Sequence, residues 1–115
     1  MATARFIHDG KSIDYTPGTA VSAGDVVVQG ELVGIAKLDM AAGQLGALAV
    51  TGVFDVAKAA GAGTDIAVGA KLYWNATDKR VETTSGDPAG THKTLGKAVR
   101  AAATTDATVR VRLEQ

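Results

Sequence analysis

Short apolar and β-branched runs, each cut off by a glycine-bearing turn, set the rhythm of this chain. Arg5-Phe6-Ile7 and Ser12-Ile13-Asp14-Tyr15 flank Asp9-Gly10, which predicts a tight hairpin whose glycine supplies a positive φ. Thr16-Pro17-Gly18 fits a type II turn, with proline second and glycine third. Gly24-Asp25 opens the run Val26-Val27-Val28, and Gln29-Gly30 closes it. Leu32-Val33-Gly34-Ile35-Ala36 follows, then a break at Asp39 to Gly43, then a run from Leu45 to Phe54. Strand-length segments between turns predict an all-β domain.

The second half repeats this grammar loosely. Gly69-Ala70-Lys71-Leu72-Tyr73-Trp74 resembles the strand after Gly24, and Leu95-Gly96-Lys97-Ala98-Val99 resembles Leu32 to Ala36. Either the chain carries a remote duplication or two strand–turn–strand units simply look alike. A strand is expected at Arg80 to Thr84, followed by a turn-rich segment from Ser85 to Gly90. Ala107 to Leu113 shows the clearest period-two alternation, with Arg110 and Arg112 on one face and Val109, Val111 and Leu113 on the other. Tyr73 and Trp74, being adjacent on a strand, face opposite sides, so one is core and the other is available as an interface anchor. Alanines give residues 56–62 some helical propensity, which Gly61 and Gly63 stop quickly. The expectation is one β domain over residues 1–115, a compact β-barrel or jelly-roll-like sandwich of short strands. It includes an N-terminal arm over residues 1–5 and at most a turn or two of helix near 56–62.

Composition narrows the function classes. Twelve Lys and Arg balance 12 Asp and Glu, so the chain lacks the cationic excess that non-specific binding to nucleic acid or anionic membranes needs. No cysteine means no disulfide framework, thiolate metal site or cysteine nucleophile. The first ten residues carry Arg5, His8 and Asp9 and no apolar segment of signal-peptide type, and Leu45 to Val50 is too short to span a bilayer. The charge is uneven along the chain: residues 1–70 hold 4 basic and 7 acidic side chains, residues 71–115 hold 8 and 5. Either the two halves form opposed patches or their charges mix on one surface.

Candidate chemistry is sparse. His8 and Asp9 flank a turn, where aspartate is favoured for its backbone hydrogen bonding. His92 has no neighbour at metal-ligand spacing. Ser12, Ser22 and Ser85, the three serines, lie in no G-x-S-x-G elbow. Gly30 to Gly34 and Gly43 to Gly46 lack the lysine and the following helix of a phosphate loop. Gly24-Asp25-Val26-Val27-Val28-Gln29-Gly30 looks like the G-D-x-V-x-x-G strand of biotinyl or lipoyl domains, but Lys37 stands in neither an M-K-M nor a D-K-A motif. A small carrier or ligand-binding module is therefore the alternative reading, and neither a cofactor nor an enzyme is expected.

Taken in order, several stretches resemble the small capsid cement, or decoration, proteins of tailed bacteriophages. They are Phe6-Ile7-x-x-Gly10-x-x-Ile13-Asp14-Tyr15-Thr16-Pro17, Ala23-Gly24-Asp25-Val26-Val27, Gly34-Ile35-Ala36 and Gly52-Val53-Phe54-Asp55-Val56-Ala57-Lys58. Gly69-x-x-Leu72-Tyr73-Trp74, Leu95-Gly96-Lys97-Ala98 and Val109-x-Val111-x-Leu113 complete the set. Ala57 departs from the family pattern, which tends to have proline before the lysine. The resemblance implies a non-enzymatic β protein, made in the host cytoplasm, that binds the outer surface of the assembled head. Its expected partners are the major capsid protein and itself, as a dimer or trimer, with no direct contact to nucleic acid or membrane. Within that reading the expected contacts are Ala2, Thr3, Arg5 and Phe6 of the N-terminal segment, and Trp74, Lys79 and Arg80 around the Asn75 to Lys93 excursion. Arg110 and Arg112 of the last strand complete them.

Overall fold

The computed structural model describes residues 3–86 and 88–114, which form nine strands and no helix among the described residues. They are β1 (Ser12–Tyr15), β2 (Val26–Gln29), β3 (Leu32–Ala36), β4 (Gly46–Ala49), β5 (Val53–Ala57), β6 (Lys71–Asn75), β7 (Arg80–Glu82), β8 (Lys93–Ala98) and β9 (Thr108–Leu113). Two antiparallel sheets result, ordered β1-β4-β3-β2 and β5-β9-β8-β6-β7, packed as a small sandwich. The all-β expectation holds.

The loose repeat in sequence is a repeat in structure. Substituting β5 for β1, β9 for β4, β8 for β3 and β6 for β2 turns the first sheet order into the second, with β7 as the added edge. The bridges outside the strands repeat as well. Val21 and Met40 exchange backbone hydrogen bonds of 2.8 Å, as Ile66 and Ala102 do at 2.9 Å. Gly24 N donates to Ala36 O at 2.7 Å, and Gly69 N donates to Ala98 O at 2.7 Å. The turn after each bridge is capped alike, Ala41 N on Gln44 Oε1 and Ala103 N on Asp106 Oδ2.

Glycines allow the two equivalent crossings. A Cβ at Gly34 would lie 2.9 Å from Leu48 Cβ, and one at Gly96 would overlap the Arg112 carbonyl. Gly30, at φ 60, opens the β2–β3 turn with the positive φ that the first position of a type II′ turn requires.

One core joins the sheets. Val33 and Ile35 of β3 lie in the same buried cluster as Leu72, Trp74, Leu95, Val109, Val111 and Leu113 of the second sheet. The other face of the first sheet packs a smaller cluster of Ala36, Leu48 and Met40 with Ile13, Tyr15 and Val27. β2 and β3 are therefore apolar on both faces, which is why their sequences are continuous hydrophobic runs. β8 reads as though Leu95 shares a face with Lys97, yet Leu95 is buried. The β6–β8 register skips Leu95, and this bulge turns it inward.

Three local expectations need correction. Residues 5–7 form no strand, because β1 pairs with β4 across the sheet; Gly10 does take φ 75 in its turn. Gly18 does not adopt the positive φ of a type II turn. The run from Leu45 to Phe54 is two strands in two sheets, divided at Gly52 (φ 117). The limit of at most a turn or two of helix near 56–62 holds, with none formed: Val56 and Ala57 finish β5, and Lys58 is drawn inward.

Candidate functional site

The expected contact residues fall on three parts of the surface. The N-terminal segment leads into β1 without secondary structure, and Thr3 and Arg5 are exposed on it. Phe6 is 78% and Ile7 68% exposed, large apolar side chains left in solvent. Further along, His8 Nδ1 accepts the Gly10 N–H at 2.9 Å, which gives this histidine a turn-forming role. Ala2 lies outside the described residues.

The second part is the β6–β7 hairpin. Asn75 is buried and organises its turn: Oδ1 accepts from Thr77 N at 3.1 Å and Asp78 N at 3.0 Å, while Nδ2 donates to Asp78 and Glu82. This bends Lys79 into the left-handed region, at φ 54, with its side chain exposed. Arg80 is held between Glu82 at 3.0 Å and Asp78 at 3.4 Å, and the Glu82 hydrogen bond foremost raises its pKa. Trp74 is a core residue at 7% exposure, so it is no exposed anchor; Tyr73 takes the outward side, with the Lys71 ammonium 5.5 Å from its ring centroid. Beyond the hairpin, His92 Nδ1 lies 3.4 Å from Thr84 O.

The third part is the outer face of β9 and its neighbours. Arg110 forms a two-point pair with Asp55 on β5, Nε to Oδ1 at 3.0 Å and Nη2 to Oδ2 at 3.3 Å. That hydrogen bond foremost holds the Asp55 carboxyl below the usual carboxylate range, outweighing desolvation, with the charges of Arg110 and Arg100 adding to it. It likewise raises the pKa of Arg110. Among the described residues, Arg112 reaches Glu114, at 3.8 Å. The two arginines share a face yet differ in kind: Arg110 is held by two short hydrogen bonds across the sheet, Arg112 by one longer ion pair.

Lys58 was invisible as a functional or structural centre in the sequence. It is 7% exposed, and Nζ donates to the carbonyls of Ala59 at 2.7 Å, Asp106 at 2.9 Å and Ala103 at 3.1 Å. Three carbonyls saturate an ammonium's donors, so this lysine fastens the end of β5 to the 103–106 turn. Its only sequence signal was its place in the Gly52 to Lys58 stretch.

Several depressions mark the surface. A groove of about 550 Å³ runs between the sheets, bordered by Val26, Val28, Phe54, Val56, Trp74 and Lys79. A hollow of about 520 Å³ lies at the 37–45 connection, where Leu38 and Leu45 are exposed beside Lys37 and Met40. Among the described residues no three His, Cys, Asp or Glu groups are placed to hold a metal ion.

No curated protein and no solved structure matches the chain. A family model described as phage cement protein does match, over residues 7–113. Those bounds take in every described strand of both sheets and the Lys58 fastening at the end of β5, so the chain belongs to the phage cement protein family.

Proposed function

We propose that the protein binds the outer surface of the assembled phage head and bridges neighbouring major capsid protein subunits, stabilising the shell against the pressure of packaged DNA. The observation that carries this is the family match across residues 7–113, which gives the capsid cement role and a place in the virion. Bridging, the outer position, a non-enzymatic character and assembly as a small homo-oligomer are our reading of that role. We read residues 1–115 as one domain, a reading supported by the core cluster that takes side chains from both sheets. Arg5, Phe6, Lys79 and Arg112 are exposed, which fits them as contacts, with Thr3, Arg80 and Arg110 beside them. Repeated modest contacts around a lattice retain such a protein by avidity, so no single deep site is needed.

The test is to mix purified protein with expanded, undecorated heads and measure both bound protein and the force or temperature at which heads rupture. Saturable binding with raised rupture resistance is expected. Absence of binding at saturating protein overturns the reading.

A further inference from the structure

The outer face of the five-stranded sheet carries a line of cations. Register sets Val53, Arg112, Lys97 and Lys71 directly opposite one another across β5, β9, β8 and β6. Residues paired in this way share a face, with strands about 4.8 Å apart. Arg112, Lys97 and Lys71 are all exposed, so three like charges stand in one row. Adjacent like charges repel across strands. Among the described residues the row's ion pairs come from one carboxylate, Glu114, at 3.4 Å from Lys97 and 3.8 Å from Arg112. Arg110, one pleat along, is already matched by Asp55.

The structural repeat gives a second reason to single out this row. Its counterpart in the first sheet is Ser12, Ala49, Ile35 and Val26, paired in the same way. There, Ile35 and Ala49 are buried, and Ile35 and Val26 pack into the core shared with the second sheet. The row that the first sheet uses for permanent apolar packing is, in the second, exposed and cationic. An excess of positive charge on a packing face suits a partner that docks from water.

We propose that the row Arg112–Lys97–Lys71 docks on an acidic protein surface, a cluster of carboxylates on the capsid shell. This inference rests on the cement reading and names the chemistry of its contact. A nucleic acid fits less well: the row spans about 10 Å, too short to follow several phosphates. Glu114 and Asp55 also stand beside it, and the whole chain has no net charge.

The test compares wild type, the triple variant Lys71→Glu/Lys97→Glu/Arg112→Glu, its neutral counterpart with Gln at the same positions, and a Lys11→Glu control. Each is titrated onto undecorated heads and cosedimented at about 50 and about 300 mM salt, concentrations that bracket effective screening. Wild type should bind more weakly at high salt. Both row variants should lose roughly tenfold or more in affinity together with most of the salt dependence, while Lys11→Glu binds as wild type. The Gln variant decides the matter if the Glu variant fails to fold by circular dichroism. Row variants that bind like wild type overturn the row alone, whereas a wild type that never binds heads overturns the cement reading and the row with it. Salt-sensitive binding of wild type to duplex DNA that both row variants lose reassigns the row to nucleic acid and also overturns the proposal.

Discussion

Lys58 shows how one side chain can hold an end of the sandwich in place. Burying an ammonium is costly unless all its donors are satisfied, and here three backbone carbonyls do so. Lys58→Met keeps the stem but strands those carbonyls, so we expect a loss of about 3 kcal/mol and a Tm lower by roughly 10 °C. Calorimetry showing an unchanged Tm would contradict this fastening role. Asp55 makes a prediction of a different sort. Its folded-state pKa lies below its ordinary value of 3.8, so on acidification the unfolded chain takes up this proton first. The stabilisation from the Arg110 pair is therefore full above the unfolded pKa and is lost as pH falls through the folded one. Asp55→Asn should have a lower Tm than wild type at neutral pH, and the gap should close on acidification; a gap independent of pH would rule the pair out as its source.

At the scale of elements, close approach explains more than propensity does. Gly96 has no unusual φ, but a Cβ there would run into the backbone of β9 at Arg112 and lie 3.1 Å from Glu114 N. Gly96→Ala should part β8 from β9 and cost about 3 kcal/mol, whereas Gly10→Ala, at φ 75 with open space around it, should cost about 1 kcal/mol. Chemical denaturation of the two variants checks the order; equal losses would mean that space at Gly96 is not the constraint. The contrast also marks what the sequence made legible. β9 was readable because one face is core and the other is solvent, so its alternation is strict. The β2–β3 hairpin was readable from its turn glycine. The division of residues 45–54 between two sheets was not, because Val50 and Val53 continue an apolar run and only the positive φ at Gly52 turns the chain. Trp74 was misjudged because the choice of inward side for the adjacent aromatics is tertiary, and the inward turn of Leu95 depends on a bulge that its own stretch does not announce. The cation row was hidden altogether, since Lys71, Lys97 and Arg112 become neighbours only through register.

For the whole molecule, the repeat raises the question of whether two similar sheets unfold as two bodies or one. The shared cluster argues for one. Val33 and Ile35 leave the first sheet to pack among residues of the second, and the β2–β3 turn is tied across by Glu31 to Lys93 at 3.0 Å. Such an exposed ion pair contributes little, so the coupling rests on the apolar contacts. Trp74, the one tryptophan, sits in the second sheet within that shared core and reports on it. Leu48 is fully buried in the smaller cluster that belongs to the first sheet alone. Leu48→Ala should cost about 3 kcal/mol. If the sandwich is one cooperative unit, the Trp74 fluorescence transition in urea should move by the full amount and stay coincident with the far-ultraviolet circular dichroism transition. If the sheets unfold independently, Trp74 would report the wild-type midpoint while circular dichroism split into two steps. A coincident shift fits a cement protein particularly well, because strain applied at a contact on one sheet would then be resisted by the core of both.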